Sequence, residues 1–305
     1  MRTLILVIGS DGMVGSRFVE LSMWRNFLYL PKETELDITD SEAVKKMIED
    51  YTFNAVVNFR EFTDISEGEL QRGNRDKSCW RVNFVGVKNL VDAIKPYRFK
   101  IHFIQISTDM VFSGSQKDKG PYSEDHPIET DSKKLTWYGY SKAEAERYIL
   151  SELEDFATIL RVNYPVRAEF NNELDLLRKY LKLFDERGLH PLFRDQQISI
   201  SFIDDISRAL DKIISQKKTG IFHSSSENTT SPYDLASYLI EKTRGQVNKV
   251  RATTIGNYLD STGESSLIYP QFGGLRVDET ESQLGVAFSD WKSIVKKLTQ
   301  QGISY

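Results

Sequence analysis

Tyr138 and Lys142 stand four residues apart in the segment Tyr138-Gly-Tyr-Ser-Lys142, at the start of a predicted helix. Residues at positions i and i+4 lie on one helical face, so the lysine ammonium can sit near the phenol. A phenol has an unperturbed pKa of about 10, and a nearby cation lowers it by favouring the phenolate. The pair could therefore exchange a proton with a substrate carbonyl. The alternative is an ordinary contact on a helix surface.

Thr108 adds a hydroxyl to this pair. The segment Ser107-Thr108-Asp109 ends a predicted buried strand, and an open parallel sheet places its ligand crevice at such strand ends. A hydroxyl there can polarise a substrate carbonyl while Tyr138 supplies or removes the proton. Thr108, Tyr138 and Lys142 are therefore the predicted catalytic residues.

Three glycines, Gly9, Gly12 and Gly15, follow the apolar run Leu4–Ile8 and precede an amphipathic stretch. A strand that breaks into glycines and then starts a helix presents bare backbone N–H groups to a pyrophosphate. The spacing is GxxGxxG rather than the GxGxxG of many dinucleotide-binding folds. The alternative is a tight turn without a ligand.

Strand and helix patterns alternate through the first half of the chain, which predicts an α/β fold with a doubly wound parallel sheet. The predicted strands are Leu4–Ile8, Phe27–Leu30, Asn54–Phe59, Ile101–Ser107 and Ala157–Val162. The helices between them are Met13–Trp24, Ser41–Tyr51, Trp80–Lys95 and Tyr138–Glu154. Two long loops are predicted, at Glu61–Ser78 and Ser113–Thr136, and long loops often serve a site.

The pattern changes after about residue 165. The later predicted elements are helices Glu173–Arg187, Asp204–Ser215, Ser231–Arg244 and Asp290–Gln301, with strands Ile198–Ile203 and Gly220–Ser225. We therefore expect a dinucleotide-binding domain over residues 1–165, to which 195–225 return. A smaller substrate-binding lobe is expected from residues 166–194 and 226–305.

Composition excludes several classes of protein. The 305 residues carry 40 Lys and Arg against 44 Asp and Glu, a net charge of −4, which gives no electrostatic case for nucleic acid or an anionic membrane. One cysteine, Cys79, and four scattered histidines predict neither a disulfide nor a metal site. No apolar run reaches the ~18 residues of a membrane span, and the first is too short for a signal peptide. A cytoplasmic enzyme is expected.

Six segments together resemble the extended short-chain dehydrogenase/reductases, and more narrowly the dTDP-4-dehydrorhamnose reductase family. They are GSDGMVGS at 9–16, LDITD at 36–40, RVNFVGVKNL at 81–90, ISTDMVF at 106–112, YGYSK at 138–142 and DQQISISFIDD at 195–205. The resemblance implies a Rossmann-type domain that binds NADP(H) or NAD(H), with Thr108, Tyr138 and Lys142 as a catalytic triad. It implies hydride transfer to the keto carbon of a nucleotide-linked 4-keto-6-deoxy sugar, a step of carbohydrate biosynthesis.

The same resemblance implies further site residues. Lys142 would also hold the nicotinamide ribose, and Asp37-Ile38 would lie beside the adenine. The predicted cofactor-binding residues are Gly9, Asp11, Gly12, Met13, Val14, Gly15, Lys32, Asp37, Ile38, Asn58, Phe59, Arg60, Ser107, Tyr138, Lys142 and Tyr164. The predicted substrate-binding residues are Asp109, Val111, Phe112, Tyr164 and Gln196.

Several of these assignments have alternatives. Lys32 favours NADP(H) slightly, because a base after the second strand accommodates the 2′-phosphate, but it could equally be a solvated lysine. Arg60 could reach a phosphate or form an ion pair with Glu61. Tyr164 could line the pocket or pack behind the turn at Pro165.

The chain also departs from the family pattern. The family usually has Asn-Ala-Ala-Ala after its strand asparagine, whereas Asn58 is followed here by the bulky and charged Phe59-Arg60-Glu61. The family's Asp-Gln-x-Gly-x-Pro-Thr is replaced by residues 195–201, DQQISIS, and its Arg-Pro by Tyr269-Pro270. An arginine there would help to hold a diphosphate, and tyrosine cannot supply that charge. The substrate could therefore be something other than a dTDP-sugar.

Two other functions remain open from the sequence. One is a nucleotide-sugar epimerase or dehydratase, which recycles its bound cofactor within each turnover. The other is a non-catalytic cofactor-binding subunit, similar to the regulatory subunit of methionine adenosyltransferase. A homodimer is also open, because helices such as Trp80–Lys95 and Tyr138–Glu154 often pair between subunits in this fold.

Overall fold

The strands are short, and the four central strands of the main sheet are almost wholly buried, as the apolar runs predict. The computed structural model describes residues 3–305. Its strands are β1 (Ile5–Ile8), β2 (Leu28–Tyr29), β3 (Ala55–Asn58), β4 (His102–Thr108), β5 (Ala157–Val162), β6 (Pro165–Val166), β7 (Leu192–Phe193), β8 (Ser201–Phe202), β9 (Gly220–Ser224) and β10 (Ala252–Thr253).

The helices follow the predicted alternation, with some differences in their bounds. They are α1 (Met13–Leu21), α2 (Ser41–Asp50), α3 (Ile65–Leu70), α4 (Ser78–Trp80), α5 (Val87–Ile94), α6 (Trp137–Leu153), α7 (Leu176–Asp185), α8 (Ile203–Gln216), α9 (Pro232–Arg244), α10 (Ile255–Thr262), α11 (Asp278–Leu284) and α12 (Trp291–Gln300).

Three of the sequence predictions need correction. The segment Glu61–Ser78 was expected to be a loop, but it contains α3, which begins where the side chain of Asp64 accepts a hydrogen bond from the Glu67 N–H. The helix expected over Trp80–Lys95 is interrupted by a π-helical stretch, Arg81–Gly86. Neither α10 nor α11 was predicted, because each is short and has few apolar positions.

The chain divides into two units. The first comprises the described residues up to Phe112, then Pro127–Arg161 and Ser207–Phe222. The second comprises Ser113–His126, Val162–Ile206 and His223–Tyr305. Residues 1 and 2, with which the predicted first domain begins, lie outside the described part. Within residues 3–305, no helix is long and apolar enough to cross a membrane.

The first unit is built on a six-stranded sheet with the order β2-β1-β3-β4-β5-β9. Strand β1 pairs in parallel with both β2 and β3, and β3 pairs in parallel with β4. The order reverses between β1 and β3, and an α/β sheet binds its ligand outside the carboxyl ends of the strands at such a point. The glycine turn after β1 and the segment Phe59-Arg60-Glu61 after β3 leave the sheet there. The Rossmann-type prediction is confirmed.

One face of this sheet forms a core with α2, α5 and α6. The strands contribute Leu6, Ile8, Val56, Phe103 and Ile159, all buried. Helix α1 is tied to α8 by the Ser22 hydroxyl, which donates to Asp211 Oδ1 at 2.6 Å. The second unit has its own core, in which α7, α9 and α12 pack around β6, β7 and β8.

Candidate active site

Helix α6 begins against the turn that follows β4, and this contact brings the predicted triad together. The Thr136 hydroxyl caps the helix by accepting from the Gly139 N–H at 3.0 Å. Gly139 is needed there, because a Cβ atom would lie only 2.2 Å from the Met110 carbonyl oxygen. Thr108 is the last residue of β4, and its hydroxyl is close enough to the Tyr138 phenol to affect its pKa. The structure therefore joins the end of β4 to the first turn of α6.

Lys142 lies one helical turn after Tyr138, as the spacing predicts. Its side chain is only 2% exposed. The ammonium group donates to the Ile106 carbonyl oxygen at 2.7 Å and to Glu61 Oε2 at 3.0 Å. Thr108, Tyr138 and Lys142 thus form one cluster at the carboxyl end of β4.

Glu61 is the group that the sequence reading did not place in this cluster. The same oxygen, Oε2, that accepts from Lys142 also accepts from the Tyr138 hydroxyl at 3.4 Å. The Glu61 side chain is 23% exposed, whereas those around it are buried. The Thr108–Tyr138–Lys142 cluster therefore contains a carboxylate between the phenol and the ammonium.

The pKa of Tyr138 moves in the opposite direction from the one expected. Burial is the main cause that raises it well above its usual value, and the negative charge of Glu61 raises it further. The Thr108 hydroxyl lowers the pKa of Tyr138, and the negative charge of Asp109 raises it. The prediction that a neighbouring lysine lowers this pKa is wrong here, because Glu61 accepts from the Lys142 ammonium and adds a negative charge beside the phenol.

Asn83 positions the segment that carries Glu61. Its carboxamide oxygen accepts from the Phe62 N–H at 2.8 Å, and its amide nitrogen donates to the Phe62 carbonyl oxygen at 3.1 Å. The same nitrogen donates to the Ser141 hydroxyl at 3.1 Å. Asn83 lies in the π-helical stretch Arg81–Gly86, and such stretches often occur at functional sites. Asn83 therefore links Phe62, which follows Glu61, to Ser141, which precedes Lys142.

A buried ion pair fixes α6 to the sheet. Glu146 on α6 and Arg161 on β5 each have a side chain that is 1% exposed. The Ser107 hydroxyl donates to Glu146 Oε1 at 2.5 Å. Ser107 was predicted to bind the cofactor, but its side chain is directed to this pair. Phe112 is also buried, and its ring lies 4.9 Å from the Arg161 guanidinium carbon.

The glycine turn fits a dinucleotide diphosphate. Gly9 has φ of +73°, and a Cβ atom on Gly15 would lie 2.2 Å from the Gly9 carbonyl oxygen, so no larger residue fits at Gly15. Gly12 is the N-cap of α1 and provides no side-chain cap, and the first turn of the helix contains no acidic residue. Asp11 and Gly12 are exposed, and Met13 and Val14 are half-buried. An uncapped and exposed helix start of this kind suits an anion.

The residues after β3 pack beside that turn. Asn58 is buried, and its side-chain oxygen accepts from the Arg60 N–H at 3.1 Å. The Phe59 ring lies 5.6 Å from that of Phe18. The Arg60 guanidinium forms an ion pair with Glu33. The alternative in which Arg60 pairs with Glu61 is therefore wrong.

The predicted adenine-side residues differ in exposure. Ile38 is buried, and a Cβ atom on Gly86 would lie 2.6 Å from its side chain. Asp37 is exposed, and its carboxylate accepts from the Thr39 N–H at 2.8 Å. Lys32 is exposed just after β2, next to Glu33.

The predicted substrate-binding residues fall in both units. In the first, Asp109 is half-buried next to Thr108, whereas Val111 is fully buried. In the second, Tyr164 is 37% exposed with φ of +38°, and Gln196 is buried and donates to the Pro270 carbonyl oxygen at 3.1 Å.

Tyr269 belongs to an aromatic cluster of the second unit. Its ring lies 5.3 Å from Phe193 and 5.4 Å from Tyr258. Its hydroxyl donates to Glu264 Oε2 at 2.7 Å. The position that carries arginine in the family pattern is therefore occupied here by a phenol bound to a carboxylate.

Within residues 3–305, neither the cysteine thiol nor a cluster of metal ligands adds a second kind of chemistry to the site. Cys79 is buried, and burial raises its thiol pKa to about 11, so a reactive thiolate is disfavoured. In the same residues, no group of three or more His, Cys, Asp or Glu side chains is arranged to hold a metal ion.

A parallel sheet with a glycine turn after β1 and a Thr–Tyr–Lys cluster after β4 defines a protein of the short-chain dehydrogenase/reductase type. Residues 1–303 match the family described as RmlD substrate binding domain, and the chain belongs to that family. The resemblance found in the sequence is confirmed.

Named relatives agree with this assignment. The chain is 28% identical over 307 residues to a dTDP-4-dehydrorhamnose reductase of Aggregatibacter actinomycetemcomitans, covering 96% of this chain and 97% of that one. It is 25% identical to the spore coat polysaccharide biosynthesis protein SpsK of Bacillus subtilis, covering 98% of each. In fold it is similar to a dTDP-4-dehydrorhamnose reductase of Bacillus anthracis in complex with NADP, with a TM-score of 0.82, 20% identity and 99% of each chain covered.

Proposed function

We propose that the protein is an NAD(P)H-dependent reductase of a keto-sugar carried on a nucleotide. The observation that carries the proposal is the cluster of Thr108, Tyr138 and Lys142 at the carboxyl end of β4, where a Rossmann-type sheet binds its ligands. Family membership supports the reaction class, and the relatives named as dTDP-sugar reductases support the substrate class.

Each residue of the site has its own role in the proposed reduction. A reduced nicotinamide, when bound, would supply the hydride for the carbonyl carbon. The Tyr138 hydroxyl gives its proton to the carbonyl oxygen, and the Thr108 hydroxyl donates a hydrogen bond to the same oxygen as negative charge develops there. The glycine turn at Gly9–Gly15 would hold the diphosphate of the cofactor, and Lys142 would hold the nicotinamide ribose.

The reductase assignment is tested by Tyr138→Phe, which removes the hydroxyl and keeps the ring. We expect turnover of NAD(P)H with a keto-sugar nucleotide to fall by about 10²–10⁴-fold, because proton donation is lost. Affinity for the cofactor should change little. Tyr140→Phe is the matched control, since Tyr140 lies on the same helix and packs against Trp137 instead of the triad.

Two results would overturn this assignment. Full activity of Tyr138→Phe would remove the proton donor from the mechanism. Conversion of the sugar without net oxidation of added NAD(P)H would indicate an epimerase or dehydratase. Stoichiometric oxidation of NAD(P)H, lost in Tyr138→Phe and kept in Tyr140→Phe, is the expected outcome.

NADP(H) is the preferred cofactor in this proposal. Lys32 and Arg60 follow β2 and β3, the strands on either side of β1. A 2′-phosphate would compete with the Glu33 carboxylate for the Arg60 guanidinium, because the guanidinium fork matches phosphate oxygens. We expect Arg60→Ala to weaken NADPH by about 10-fold, the value of one charge-assisted contact, and to leave NADH within about 2-fold. Equal losses for both cofactors would contradict the preference.

Because Tyr269 stands where the family pattern has arginine, the identity of the nucleotide on the substrate has to be determined by experiment. A phenol that donates to Glu264 cannot neutralise a diphosphate as arginine would. We expect purified protein to retain a sugar nucleotide that mass spectrometry can identify. If sugars without a nucleotide are reduced equally well, the nucleotide-linked substrate class is wrong.

A further inference from the structure

The active site contains a carboxylate at a position where the family pattern has a small residue. Glu61 follows β3 at the third place after Asn58, and its Oε2 atom receives both the Tyr138 hydroxyl at 3.4 Å and the Lys142 ammonium at 3.0 Å. The neighbouring residue Phe62 is held at both its N–H and its carbonyl oxygen by Asn83. Glu61 is thus held both through its side chain, by Tyr138 and Lys142, and through the backbone of the next residue, by Asn83.

We propose that Glu61 is a positioning residue that holds Tyr138 in its protonated form, so that the phenol serves as a proton donor. The inference rests on the reductase function proposed above, because it assigns a direction to the proton that Tyr138 transfers.

The geometry favours the neutral phenol for a simple electrostatic reason. A carboxylate accepts a hydrogen bond from a phenol only while the phenol keeps its proton, and it repels a phenolate. The Lys142 ammonium, which would otherwise favour the phenolate, is shared between the Ile106 carbonyl oxygen and Glu61. The high pKa of Tyr138, raised by burial and by Glu61, agrees with this arrangement.

The other charged groups near the phenol do not reverse this balance. Asp109, on the turn after β4, also raises the pKa of Tyr138. Glu69 on α3 receives the Trp137 N–H at 2.5 Å and is paired with Arg72 at 2.9 Å, so its charge is compensated. Lys142 is the cation of this cluster, and Glu61 is its ion-pair partner.

The consequence is a wider pH range in which Tyr138 holds the proton that reduction requires. In reduction, the O–H bond of Tyr138 breaks, its proton forms the new O–H bond of the alcohol, and the hydride from the reduced nicotinamide forms the new C–H bond. The phenolate that remains beside Glu61 is a strong base and takes a proton from water. Oxidation of the alcohol would need this phenolate at the start, so Glu61 lowers the fraction of enzyme that is ready for oxidation below alkaline pH.

The test follows the ionisation of Tyr138 directly, without substrate. Protein with ¹³Cζ-labelled tyrosine is titrated by NMR, and the Tyr138 signal is identified by its absence in Tyr138→Phe. Glu61→Gln keeps the size of the side chain and removes its charge. If Glu61→Gln does not fold, Glu61→Ala is titrated in its place. Glu67→Gln is the matched control, because Glu67 lies in the same segment and bonds to Gln71 rather than to the triad.

We expect Tyr138 to ionise at least about one pH unit lower in Glu61→Gln than in the native protein, and at an unchanged pH in Glu67→Gln. The alkaline limb of the reduction profile should move down by the same amount. An unchanged or higher ionisation pH of Tyr138 in both Glu61 variants would overturn the inference. That result is distinct from failure of the reductase function, which would appear as full activity of Tyr138→Phe.

Discussion

Two of the carboxylate–cation pairs on helix α6 lie one turn apart and differ in their surroundings: Lys142 with Glu61, and Glu146 with Arg161. Glu146 accepts hydrogen bonds from Arg161 at 3.1, 3.2 and 2.7 Å, and both side chains are 1% exposed. Lys142 pairs with Glu61 through one contact at 3.0 Å, and the carboxylate reaches solvent. The first pair joins a helix to a strand, whereas the second joins a helix to the segment after β3.

The difference indicates two roles for similar chemistry. Removing one member of a buried pair leaves a charge without compensation, so the pair keeps α6 in one place on the sheet. A partly exposed carboxylate can be hydrated, and its interaction is weakened by solvent and salt. The Glu146 pair therefore maintains the framework, and the Glu61 pair adjusts the protonation of Tyr138.

The largest effect is expected from breaking the buried pair. Glu146→Ala should lower the free energy of unfolding by about 3–5 kcal/mol, because Arg161 would remain buried without its partner. Urea denaturation measures the change. Glu152→Ala is the control on the same helix, since Glu152 pairs with Lys95 at the surface, and it should cost less than about 1 kcal/mol. Equal losses for the two variants would remove the distinction between framework and surface pairs.

Much of this site could be predicted from local sequence. The run Leu4–Ile8 followed by glycines predicts a strand, a turn and a helix, and the structure has β1 at Ile5–Ile8 and α1 at Met13–Leu21. The four-residue spacing of Tyr138 and Lys142 predicts their shared helical face. These inferences depend on neighbours along the chain, which a sequence displays directly.

The role of Glu61 could not be predicted in the same way. Its partners lie 77 and 81 residues further along the chain, and they meet it only because β3 and β4 are adjacent in the sheet. The segment is predicted as a loop because residues 61–78 are mostly polar and contain two glycines. One signal was present, since a charged residue replaced a small one after Asn58. Its consequence for Tyr138 required the three-dimensional arrangement.

An intermediate effect is expected when the support of the second pair is removed. Asn83→Ala would leave the Phe62 N–H and carbonyl oxygen without their partner, so the free energy of unfolding should fall by about 2 kcal/mol. Glu61 would then be held less firmly, and Tyr138 should ionise at a lower pH, between the native value and that of Glu61→Gln. If Tyr138 in the Asn83→Ala protein ionises at the native pH, the hydrogen bonds between Asn83 and Phe62 do not position Glu61.

The smallest effect on stability is expected at Glu61 itself. Glu61→Gln should lower the free energy of unfolding by about 1 kcal/mol or less, because the Ile106 carbonyl oxygen still accepts from Lys142 and the glutamine amide can face solvent. High salt should reduce the difference in Tyr138 ionisation between Glu61→Gln and the native protein, since a partly exposed charge is screened. The same salt should leave the loss caused by Glu146→Ala nearly unchanged. If Glu61→Gln is as costly as Glu146→Ala and equally insensitive to salt, both pairs belong to the framework and the division of roles along α6 is wrong.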